Sequence, residues 1–122
     1  MDQTKAPLDA EHDKYFVDTF NKTQRVIHQI AVDHGWWERQ RELPELIALC
    51  HSELSEMLEG ERLGNGPDEH CPAFSTCEIE LADLLIRAMD MAEYKGYRLA
   101  AALLAKLRFN HGRPYRHGGK KY

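Results

Sequence analysis

The chain has no apolar run approaching the roughly 20 residues that cross a bilayer as a helix, so no membrane span is expected. Cysteine is scarce. Cys50, Cys71 and Cys77 are odd in number and form no CxxC pair, which argues against a disulfide framework or a zinc site and suits reduced thiols in a cytoplasmic protein. The opening Met1-Asp2-Gln3-Thr4-Lys5 has neither the basic nor the apolar region of a signal peptide. No strand-like alternation of any length occurs, and no internal repeat. The last absence is of one charge: residues 94–122 hold eight Lys/Arg and no acid, a balance of +8, whereas residues 1–93 hold 20 acids against eight bases, a balance of −12. Such asymmetry suits a site that holds a cation beside a polyanion. It equally suits plain attraction between the two ends, within one chain or between subunits.

What is present is helical periodicity. At 122 residues, with 43% hydrophobic and 30% charged residues, the chain has the size and composition of one packed domain. Residues 1–10 read as a loose leader, 11–111 as the helical body and 112–122 as a basic tail. From about Asp13 to Asp33, Phe16, Phe20, Thr23, Ile27, Ile30 and His34 recur at spacings of three and four, and Gly35 is placed to end that helix. A second helix is expected from about Leu43 to Arg62, with Pro44 in its first turn and an apolar face running from Leu43 to Leu58. A third, roughly Thr76 to Lys95, is capped by Ser75 or Thr76 and ended by Gly96. It is apolar almost all round, which places it at the centre of a bundle or at a subunit interface. A fourth runs from Arg98 to about Asn110 and stops near Gly112, before Pro114. The fold class is all-α, with four main helices.

Two of these helices carry paired acids. Glu53-Leu54-Ser55-Glu56 lies on the second and Glu80-Leu81-Ala82-Asp83 on the third. Positions three apart on a helix differ by roughly 60° in azimuth and sit one turn above each other, so each pair can converge on one cation. If the two helices face each other, four carboxylates surround a pocket of hard oxygen ligands suited to Mg²⁺, with Mn²⁺ as a substitute. An Asp83–Arg87 pair at i, i+4 would satisfy Asp83 without any metal, and Glu56 and Glu59 would equally serve as a solvated face. Neither acid pair has the Glu-x-x-His spacing of carboxylate-bridged di-iron bundles.

The spacing of these acids, Glu53-x-x-Glu56 followed after 23 residues by Glu80-x-x-Asp83, resembles the hallmark of the MazG-like nucleotide pyrophosphohydrolases, an all-α family. Gly35-Trp36-Trp37 is similar to that family's upstream Gly-aromatic-Trp segment. Lys106-x-x-x-Asn110-x-x-Arg113-Pro114-Tyr115 and His117-Gly118-Gly119-Lys120-Lys121 resemble the ending of its short, single-domain members. The resemblance covers residues 21–122 and implies a four-helix MazG-like bundle completed by oligomerisation, as a homodimer or a dimer of dimers.

It also implies Mg²⁺-dependent hydrolysis of an NTP or dNTP to the monophosphate and pyrophosphate, possible housekeeping of the nucleotide pool included. Glu53, Glu56, Glu80 and Asp83 would then be the metal ligands and catalytic carboxylates, with a non-ligating glutamate such as Glu53 orienting the attacking water. Lys106, Asn110 and Arg113, with His117 and Lys120 from the tail, would meet the phosphates. Trp36 or Trp37 would stack on the base, Trp37 being the favoured candidate. Two other classes compete: a non-catalytic nucleotide sensor of the same fold, and a nucleic-acid-binding protein using the basic tail, which the acidic body disfavours.

Overall fold

The structure, a computed structural model, describes residues 9–115. It is all-helical, with four helices in chain order: α1 (Ala10–Asp33), α2 (Leu43–Arg62), α3 (Thr76–Lys95) and α4 (Leu99–His111). The described residues contain one isolated bridge, Pro67 to Ser75, and no strand. No helix among them is long and apolar enough to cross a membrane. The described residues divide into two compact units, one from residues 9–23 with 98–115 and one from residues 24–97. The beginning of α1 therefore belongs with α4, and its later part with α2 and α3.

Local sequence explains the helix limits. Helix α1 begins at Ala10, ahead of the Asp13 at which apolar periodicity starts, because the Asp9 carboxylate accepts the His12 backbone N–H at 2.7 Å. It closes with Trp36 N bonding to Ala31 O at 3.1 Å and Gly35 N to Val32 O at 3.0 Å. Gly35 takes a φ of 84° that this closing pair of bonds requires. The same bond pair ends α2 on Gly60 O and Glu61 O, and α3 on Ala92 O and Glu93 O. Ser75 caps α3 in a reciprocal box: its side chain accepts from Glu78 N at 3.2 Å while the Glu78 carboxylate accepts from Ser75 N.

Helices α2 and α3 form an antiparallel pair. Cys77, at the start of α3, directs its thiol to Met57 O near the end of α2, and Arg87 farther along α3 reaches back to Glu53. Gly60 makes the close approach possible, since a Cβ there would fall 2.6 Å from Thr76 Cγ2. Leu46, Cys77, Met89 and Ala92 are the buried apolar residues of this unit, and none of the large side chains is fully sealed. Leu54 and Leu58 on α2, and Leu81 and Leu85 on α3, each pair four residues apart, remain about half exposed. The nearly all-round apolarity of α3 is thus not used up within one chain. In the other unit, Arg108 of α4 forms an ion pair with Asp13, and Ala100 and Leu104 are buried.

Candidate functional site

The antiparallel register of α2 and α3 brings Glu53, Glu80 and Asp83 together. One carboxylate oxygen from each lies within 4.8 Å of the others. Glu53 is the innermost at 5% exposure, unusual for a charged residue. Its Oε1 accepts from Arg87 Nε at 2.6 Å, while its Oε2 is sealed from solvent and has no hydrogen-bond partner. Glu80 Oε2 is likewise sealed and unpartnered. Two carboxylate oxygens without donors, converging with a third acid, are costly while all three are ionised, and either a shared proton or a bound cation relieves that cost. The donor set is all oxygen and all anionic, which fits Mg²⁺ or Mn²⁺. Glu56 stands at the exposed rim of this group.

Proton affinities reflect the crowding. Burial, then hydrogen bonding with Glu53 and Glu56 and the charge of both, pushes the Glu80 carboxyl up to about 7. Asp83 is also raised, by burial and by the Glu53 charge, with Arg87 acting in the opposite sense. Glu53 goes the other way. Burial alone would raise it, but the Arg87 guanidinium and hydrogen bonds from Glu80 and Glu56 together hold it below the ordinary value. Without a cation, the cluster therefore keeps Glu53 ionised and places a proton on Glu80 around neutral pH. Arg87 neutralises α2 rather than its own helix: the intrahelical Asp83–Arg87 pair weighed from the sequence gives way to the contact with Glu53 across the helix pair.

A cleft of about 350 Å³ opens beside the acids. Glu53 and Asp83 line one part of it, and Ile27, Ile30, Ala31 and Ile86 supply apolar wall. That combination of apolar lining and a few convergent polar groups is the usual make-up of a small-molecule site. The tryptophan that lines it is Trp36, 61% exposed. Trp37 is engaged elsewhere. Its ring stacks on Tyr94 with centroids 4.2 Å apart, and its Nε1 donates to Asp90 at 3.1 Å. Asp90 also hydrogen-bonds His28 Nδ1 at 2.6 Å, which ties α1, the connection after it and α3 into one polar node.

Lys106, Asn110 and Arg113 belong to the other compact unit. There the Lys106 ammonium lies 4.6 Å and the Arg113 guanidinium 5.7 Å from the Phe109 ring centroid, and Asn110 O accepts from Arg113 N at 3.2 Å. His117 and Lys120 lie outside the described residues. Sequence reasoning did not single out Arg41 or Asp90. Arg41 sits in an aperiodic connection, and no spacing rule announces that it will be buried at 8% exposure beside the cleft. No protein-family model, curated protein or solved structure matches the chain.

Proposed function

We propose that this chain is a Mg²⁺-dependent nucleoside triphosphate pyrophosphohydrolase, hydrolysing an NTP or dNTP to the monophosphate and pyrophosphate. The observation that carries the reading is the pair of sealed, unpartnered oxygens, Glu53 Oε2 and Glu80 Oε2, converging with Asp83 beside a nucleotide-sized cleft. Glu53, Glu80 and Asp83, with Glu56 at the rim, would hold the metal. When bound, the ion would offset phosphate charge and acidify a water. Arg87 fixes the Glu53 carboxylate through its Nε, so the ligand is oriented before substrate arrives. Glu56, at the exposed rim, would take the proton of the attacking water where it does not itself ligate the ion. Attack at the α-phosphorus breaks the α–β bridge and releases pyrophosphate. The apolar wall and the exposed ring of Trp36 suit the base.

The resemblance assigns the phosphates to Lys106, Asn110 and Arg113, with the tail residues His117 and Lys120, and that assignment is kept as part of the proposal. The half-exposed Leu54, Leu58, Leu81 and Leu85 support a MazG-like bundle completed by a second copy, as a homodimer or a dimer of dimers. The test is product analysis with a panel of nucleotides in Mg²⁺ and in EDTA, beside Asp83→Asn. Metal-dependent release of pyrophosphate, lost in the variant, is expected. Nucleotide binding without turnover would instead favour a sensor of the same fold.

A further inference from the structure

Arg41 is the buried cation of the cleft without an anion. It is 8% exposed, yet it has no hydrogen bond or ion pair with any described residue. The nearby Glu45 is bonded to Arg39, at 2.6 and 3.3 Å, and feels Arg41 only through space. Its nitrogens are open to solvent rather than sealed, so a ligand that displaces water from them must accept in its place. The Arg41 side chain is also held in one attitude. Its guanidinium carbon sits 5.2 Å from the Trp37 ring centroid, and Trp37 is itself fixed by Tyr94 and Asp90. With one face on an indole, the donors left to Arg41 are those along its edge, and none of its nitrogens is among the sealed, unpartnered atoms.

The surroundings decide what that edge meets. Arg41 lines the cleft together with Ile27, Ile30, Ala31 and Trp36, a setting for a flat apolar group. A second hollow that Arg41 also lines pairs Glu38 and Glu45 with Arg39 and Arg87, so its charges are largely matched among themselves. The carboxylate cluster, through its cation, is the place for the phosphates. We infer that Arg41 reads the base of the nucleotide and selects 6-oxopurines, the guanine and hypoxanthine type, by donating to the adjacent carbonyl oxygen and ring nitrogen. Adenine presents an amino donor where the carbonyl would be, so one arm of the fork meets another donor, and uracil and thymine, protonated at N3, offer no such acceptor pair. This inference rests on the nucleotide reading proposed above and names the substrate class within it.

The test separates the two claims. GMP and AMP carry the same phosphate, so their titration against the wild-type protein, followed by the fluorescence of its two tryptophans, isolates the base. Wild type is expected to bind GMP roughly 10- to 100-fold more tightly than AMP, the discrimination of one bidentate arginine contact. In Arg41→Gln the ratio of affinities, and the ratio of kcat/KM for dGTP over dATP, is expected to fall close to one. Arg41→Lys, which keeps the charge and most of the stem but not the fork, should give an intermediate ratio, and a thermal melt of each variant guards against simple unfolding. Equal weakening of both nucleotides in Arg41→Gln would make Arg41 a phosphate ligand and overturn the inference, as would equal binding of both by wild type. Hydrolysis without base preference sinks the inference alone. Base preference without hydrolysis sinks the catalytic reading alone, and no binding of either nucleotide sinks both.

Discussion

Arg87 reaches from α3 to α2 and donates its Nε to Glu53 at 2.6 Å, so the most buried carboxylate of the acidic cluster is held by a cation from the opposite helix. The guanidinium is itself one-third exposed, which leaves it able to adjust when the charge around Glu53 changes. That single contact links stability to the site.

Removal of Arg87 should therefore destabilise the metal-free protein and make it lean on metal. Arg87→Met leaves Glu53 ionised, buried and unpaired, a change of roughly 2 kcal/mol once the partial exposure of the arginine is allowed for. Urea unfolding in EDTA measures the loss. Excess Mg²⁺ should restore more stability to the variant than it adds to wild type, because the ion supplies the missing positive charge. Equal stabilisation of the two proteins by Mg²⁺ would count against a shared role for Arg87 and the ion.

Glu80 sets the pH dependence of the metal-free state. Its carboxyl is raised in the folded chain from the ordinary 4.5 to about 7. Between those pH values the folded state holds a proton that the unfolded state has released, so this group makes stability fall as pH rises across that window and level off above it. Glu80→Gln should remove that decline and raise metal-free stability at pH 8 by roughly 1–2 kcal/mol, discounted for solvent screening. The same variant should lose most of the stabilisation by Mg²⁺. Thermal melts from pH 4 to pH 8, with and without the ion, check both.

The helix crossing at Gly60 offers a purely structural prediction. A methyl group there would sit 2.6 Å from Thr76 Cγ2, on a stiff β-branched side chain that cannot swing away. Gly60→Ala is expected to lose roughly 1–3 kcal/mol through overpacking. Thr76→Ser deletes that methyl while keeping a hydroxyl for Gly66 O, 3.0 Å away, and should recover most of the loss in the double variant. A double-mutant cycle by chemical unfolding gives the coupling directly.

The leucines of α2 and α3 provide a test of the proposed assembly. Leu54, Leu58, Leu81 and Leu85 stay about half exposed in the single chain, and a second copy is the proposed cover. Light scattering at micromolar concentration should report at least a dimer, and Leu85→Glu should shift it toward monomer. A clean wild-type monomer would refute the proposed assembly.

Much of the fold was legible in the sequence because local signals agreed with one another. Pro44 near the start and an apolar stripe to Leu58 placed α2 at Leu43–Arg62, and Ser75 with Gly96 placed α3 at Thr76–Lys95, as the structure has them. The start of α1 was less legible, since Asp9 extends it by a capping bond where apolar periodicity is absent. The acids of the cluster were visible from spacing alone. Their electrostatics were not: the choice of Glu53 rather than Asp83 as the partner of Arg87 depends on the register between two helices, which spacing within either one leaves undefined. The sequence reading favoured Trp37 over Trp36 for the base, but only packing against Tyr94 and Asp90 shows that the Trp37 ring is engaged there while Trp36 lines the cleft.

The most direct test of the central claim is hydrolysis of dNTPs with Mg²⁺ in ¹⁸O-labelled water, with the products resolved by mass spectrometry. The proposed reaction puts one labelled oxygen into the nucleoside monophosphate and none into the pyrophosphate, with no turnover in EDTA or in Asp83→Asn. Label in released orthophosphate or pyrophosphate, or no turnover of any nucleotide, would contradict it.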